Sequence, residues 1–109
     1  MNDLMQYASK GEQMIVIQLI QALRGDGLLV SVHDGEQWAA IKSDDSQEIL
    51  DAMCSTGADW VLAVNESGKK VAAFQLIYGN DPDGSELISD GSGDLFDHYN
   101  AKAYRFNWR

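Results

Sequence analysis

The chain has 109 residues, 45% hydrophobic and 9% aromatic, with a formal net charge of −9. That length and composition describe one domain, residues 1–109, folded around a single core, and exclude a disordered chain. The acidic surplus argues against direct binding to a nucleic-acid backbone, which needs concentrated positive charge.

In chain order, Ser9-Lys-Gly-Glu12 fits the capping-box pattern that opens a helix. Met14, Ile15, Ile17, Leu19, Ile20, Ala22 and Leu23 lay an apolar stripe on that helix, and Gly25 is placed to stop it in the left-handed conformation. Residues 2–8 leave room for a short preceding turn of helix. Leu28 to His33 reads as a strand with Leu28, Val30 and Val32 on one face. Asp34-Gly35 predicts a tight hairpin turn with positive φ at both central positions. Glu36 to Lys42 then returns as a second strand anchored by Trp38.

Ser43-Asp44-Asp45 offers caps for a second helix, with carboxylates where the helix dipole favours them. Ile49, Leu50, Met53 and Cys54 give that helix an apolar side, ending near Gly57. Asp59 to Asn65, Lys70 to Tyr78 and Glu86 to Asp90 follow as a meander, with Gly91-Ser92-Gly93 as a breaker. Asp94 to Asn100 predicts one or two helical turns. In Tyr104-Arg-Phe106-Asn-Trp108 the aromatics alternate with polar residues, as on a last strand within the divergent tail 93–109. The expected architecture is α+β: an antiparallel sheet of five to six strands, order α-β-β-α-β-β-β, with two main helices on one face.

Val30-Ser-Val-His-Asp-Gly-Glu-Gln-Trp38, followed by Gln75-Leu-Ile-Tyr-Gly-Asn-Asp and Glu86-Leu-Ile-Ser-Asp, resembles a family of small phage and prophage proteins. Their pattern runs V-S-V-x-D-G-E-E-W, a capped helix, W-L-x-Y-G-N and E-L-I-S-D-Y, and the likeness covers residues 15–92. The chain departs from it at Ala39, Ala40 and Phe74, and has Gly91-Ser-Gly-Asp where the family continues into a Tyr-Thr-Asp-Asn-led helix. The resemblance implies origin and fold, and brings no activity with it.

Residues 81–97 hold six carboxylates (Asp81, Asp83, Glu86, Asp90, Asp94 and Asp97) and no Lys or Arg, whereas residues 98–109 carry a charge of +3. The plain reading of that acid is solubility; the functional reading is a surface that steers a basic protein partner. Asp81-x-Asp83-x-Ser85 has the start of a calcium-loop spacing, but Glu86 stands where the loop needs Gly and Ser92 where it needs a bidentate acid. His33 and His98 have no ligand partners at metal-binding spacing, so no metal or other cofactor is expected. No Gly-x-Ser-x-Gly elbow or phosphate-cradling glycine loop occurs, Asp44 and Asp45 suit helix capping, and Cys54 lies among apolar neighbours. No catalytic residue is assigned, and a non-enzyme is expected.

A lone cysteine, a Met-Asn-Asp-Leu start and apolar runs far short of ~20 residues predict a cytoplasmic protein of a bacterial host, without membrane association. Three functions stay open. The first is a phage-type accessory protein binding a host or phage protein through the acidic surface, possible inhibitor of a nucleic-acid-binding defence or expression system included. The second is a structural or assembly protein that homodimerises through Tyr104, Phe106 and Trp108. The third is single-strand nucleic-acid binding through those aromatics and Lys102, Arg105 and Arg109.

Overall fold

A computed structural model describes residues 8–79 and 86–104. Helix α1 (Lys10–Gly25) starts at the capping box. The Glu12 backbone N–H donates to Ser9 Oγ at 3.2 Å, and the Ser9 N–H donates to Glu12 Oε1 at 2.9 Å. Ile15, Val16, Leu19, Ile20 and Leu23 are its buried apolar face, while Met14 is turned out to 48% exposure. The stop falls later than expected. Gly25 is still helical, and the left-handed residue is Gly27 (φ 80°). The Leu28 N–H donates to Leu23 O and the Gly27 N–H to Arg24 O, at 3.1 and 3.0 Å. Those paired bonds make a Schellman close, with Leu28 and Leu23 buried together.

Strands β1 (Leu29–His33) and β2 (Trp38–Ser43) form the hairpin, but the loop spans residues 34–37 rather than a two-residue turn. Only Gly35 takes positive φ (101°). Asp34 prefers to accept, through Oδ1, the N–H groups of Glu36 and Gln37 at 2.9 and 3.0 Å, which delays the return strand to Trp38. Helix α2 (Ser46–Asp51) is capped by Asp45, whose Oδ1 accepts from the N–H groups of Gln47 and Glu48. It is shorter than predicted. Cys54 lies beyond it at φ 64°, its N–H donated to the buried carboxylate of Asp59 at 2.8 Å.

Strands β3 (Ala58–Val64), β4 (Lys70–Ile77) and β5 (Ile88–Ser92) complete the sheet, and α3 (Phe96–Ala103) follows. β5 runs through Gly91 instead of breaking there. A Cβ on Gly91 would lie 1.8 Å from the Phe96 ring, so glycine is what lets α3 close onto β5. The turn comes at Gly93 (φ 106°). Tyr104 is the C-cap of α3, not a strand residue, and its hydroxyl accepts the Ile88 N–H at 3.0 Å. Phe106 and Trp108, the rest of the expected strand, lie outside the described residues, as does the 2–8 turn up to residue 7.

Among the described residues the chain is an α+β fold: five strands in the antiparallel order β2-β1-β3-β4-β5, with helices packed on one face. Val30, Val32, Val61, Phe74 and Leu76 point into that core against α1 and Ile49 of α2. Phe96 brings α3 to within 5.2 Å of the Phe74 ring. The Tyr99 hydroxyl donates to Asp26 Oδ2 at 2.6 Å and ties α3 to the end of α1. No helix among the described residues is long and apolar enough to cross a membrane.

Candidate functional site

Strand side chains alternate between faces, so each residue sent into the core places its neighbour on the open face of the sheet. Registered pairs His33↔Trp38, His33↔Trp60, Trp60↔Gln75 and Gln75↔Asp90 form one row across all five strands. A second row pairs Ser31, Leu62, Ala73 and Ser92. His33 sits between the two indoles, edge-on to Trp38 at 5.0 Å and to Trp60 at 6.3 Å. Its Nδ1 accepts the Gly35 N–H at 3.1 Å, so the ring also steadies the hairpin. Trp38 is 50% exposed and Trp60 40%. Trp38 therefore anchors the open face and not the core.

These rows line a shallow groove of ≈330 Å³ reaching from Trp38 and Trp60 to Asp90, Gly91 and Ser92, with Leu62, Ala73 and Gln75 between. On the other side of Trp38 lies a cleft of ≈610 Å³ between the hairpin and α2, which holds Asp34, Asp45, Glu48 and Asp51. Asp34 is held below the ordinary carboxylate range by the backbone N–H groups of Glu36 and Gln37, so it is a fixed negative charge at neutral pH. Glu48 accepts from Ser43 Oγ, and Asp51 from Gln47 Nε2 at 2.8 Å. No Lys or Arg among the described residues lines either concavity.

The carboxylates singled out in the sequence are spread over more than one surface. Asp90 lines the groove; its Oδ1 accepts the Gly91 N–H at 2.8 Å, and its Oδ2 has no hydrogen-bond partner among the described residues. Glu86 is exposed just before β5. Asp94 lies 3.6 Å from Lys69 Nζ, and Asp97 is exposed in the first turn of α3, on the helix side of the sheet. Asp81, Asp83 and Ser85, the start of the calcium-loop spacing, lie outside the described residues. Among the described residues no group of three or more His, Cys, Asp or Glu side chains is arranged to hold a metal ion. Tyr104 is half-buried against β5.

Trp60 was missed as a surface residue because β3 is apolar on both sides: Val61 and Ala63 face the core, Trp60 and Leu62 the opposite way. Alternation alone gives no sign of which set is covered. A second buried constellation was also hidden. Asp59 is fully buried, with Oδ2 accepting from Tyr78 Oη at 2.6 Å and from the Cys54 N–H, while Oδ1 has no partner. Burial pushes the Cys54 thiol up to about 12, which leaves it protonated and a poor nucleophile. The cluster is sealed from solvent and acts as a structural knot.

No family model matches the chain, and no curated protein or solved structure gives a significant match.

Proposed function

We propose that this chain is a non-enzymatic binding protein that docks a basic protein surface through its acidic side. The observation that carries the reading is the lining of the two adjoining concavities: five carboxylates, two exposed indoles and no cation among the described residues. Aromatic side chains give an interface contact area at low entropic cost, and fixed carboxylates steer a cationic partner and fix its register. The same charges repel phosphodiesters, so the exposed rings favour a protein over a single-stranded nucleic acid. The sequence pattern resembling small phage and prophage proteins supports a host cytoplasm as the setting of this reading, where a basic surface that normally holds nucleic acid is an apt target for an accessory inhibitor.

The test is capture of partners from bacterial lysate on the immobilised chain at about 0.05 M and about 0.5 M salt, across which surface electrostatics fade. The expected result is an identified partner, retained at low salt and released at high salt, whose binding weakens when Glu48, Asp51 and Asp90 of the two concavities are changed to Gln or Asn. A partner indifferent to both salt and charge removal, or none at all, rejects the reading.

Self-association is the second reading, favoured by edge strand β2, where Trp38 is 50% and Ile41 68% exposed. Sedimentation at high salt, where like charges are screened, separates the two: a dimer that Ile41→Lys dissolves supports this second reading and a monomer rejects it.

A further inference from the structure

We infer that the open-face groove receives an arginine or lysine side chain from a basic segment of the partner, held between the Trp60 indole and the Asp90 carboxylate. The inference rests on the protein-binding reading and makes its partner chemistry specific. The groove is apolar for most of its length and ends in one carboxylate: Trp38, Trp60, Leu62, Ala73 and Gln75 lead to Asp90. Trp60, Gln75 and Asp90 are successive neighbours in one row, so Trp60 and Asp90 stand two strand spacings apart, roughly 10 Å. A long aliphatic stem with a cationic head suits that layout. The stem lies over Leu62 and Ala73, the head meets Asp90 Oδ2, and the indole face of Trp60 attracts the same charge.

Three polar groups in the groove are ready for such a guest. Asp90 Oδ2, the Gln75 side-chain amide and the Trp60 Nε1–H have no hydrogen-bond partner among the described residues. The carboxylate and the amide oxygen accept from a guanidinium or ammonium, and the indole N–H donates to a carbonyl of the bound segment. Charge excludes other occupants. An anionic ligand meets a chain of net charge −9. A purely apolar one covers Asp90 Oδ2 and gives it no hydrogen-bond donor, which is costly. A second copy of this chain brings its own −9 to the same face. The four carboxylates of the neighbouring cleft extend the attraction along a basic segment past Trp38.

The experiment uses the full chain and a synthetic peptide with three arginines spaced by glycine and serine, against the same peptide with citrulline in place of each arginine. Binding is read by calorimetry and by tryptophan fluorescence at about 0.05 M salt, where electrostatic contacts are weakly screened. The arginine peptide is expected to bind about tenfold more tightly than the citrulline peptide. Asp90→Asn and Trp60→Leu are each expected to weaken it several-fold, and Asp97→Asn, on the helix side, to leave it unchanged. Asp90 is exposed at a sheet edge, so Asp90→Asn keeps the fold, and circular dichroism verifies it. Trp60→Phe is the fallback where Trp60→Leu unfolds. Equal binding of both peptides, or equal weakening by Asp90→Asn and Asp97→Asn, overturns the groove assignment. A lysate partner that is salt-sensitive yet indifferent to Asp90 and Trp60 also overturns it and leaves the protein-binding reading standing. Arginine-peptide binding in the groove with no lysate partner does the reverse.

Discussion

Asp59 is the residue at which opposing forces are easiest to weigh. Its burial pushes the carboxyl above its ordinary value, and the hydrogen bonds from Tyr78 Oη and the Cys54 N–H only partly offset that. The native state therefore holds this proton to higher pH than the unfolded chain does. Across that window stability falls as pH rises, and the loss is complete above the raised value. Asp59→Asn removes the titration, so its stability relative to the native sequence is expected to climb as pH rises above about 4, the unfolded-chain value, in urea unfolding. Parallel pH profiles for the two proteins reject this account. Nearby, the Cys54 thiol is buried and held near 12, so iodoacetamide at mildly alkaline pH is expected to modify it only after unfolding. Rapid labelling of the native chain counts against a sealed knot. Cysteine inertness was legible from Leu50 and Met53; the knot was not, because Asp59 and Tyr78 are nineteen positions apart and meet only in the sheet.

At the level of elements, α1 was readable almost to its ends because its cap is a local bond pattern between Ser9 and Glu12. What the pattern conceals is that Glu12 has a second task. Both of its carboxylate oxygens accept the Gly79 N–H, at 3.1 and 3.0 Å, which pins the end of β4 to the start of α1. Ser9→Ala removes one cap bond and is expected to cost about 1 kcal/mol. Glu12→Ala removes the acceptor of the Gly79 amide as well as its bond to the Ser9 N–H and is expected to cost more, about 2–4 kcal/mol, with faster hydrogen exchange at Gly79. Equal costs, or unchanged exchange, argue against the tether. Elements set by distant contacts were misjudged. α2 ends early because Cys54 bonds Asp59, and β5 continues through Gly91 because the Phe96 ring occupies the space a side chain would take. Gly91→Ala is accordingly expected to destabilise by about 1–3 kcal/mol and to loosen α3, read by denaturation and by exchange of α3 amides.

For the molecule as a whole, charge dominates. The structure gives two ion pairs among the described residues, Lys69–Asp94 at 3.6 Å and Lys102–Asp26 at 3.9 Å, against a net charge of −9. Self-repulsion is therefore weakly compensated. Raising salt from about 0.02 M to about 0.3 M is expected to raise the Tm by screening that repulsion while weakening any basic partner. The two effects have opposite signs. A Tm that falls with salt over that range contradicts the balance, because the lost pairs would then outweigh the relieved repulsion.

Local chemistry alone was enough for the first helix and its cap, the strand alternation around Val30 and Val32, and an α+β architecture, since capping and periodicity act between near neighbours. The long acidic stretch from residue 81 was equally visible, but its geometry was not: Asp90, Asp94 and Asp97 follow one another in the chain and separate onto a groove, an ion pair and a helix. Which side of the sheet the helices cover is settled by the packing of Phe96, Phe74 and α1, and that choice leaves Trp38, Trp60 and Asp90 together on the uncovered side. A strand with apolar residues on both faces carries no local mark of which face will meet water.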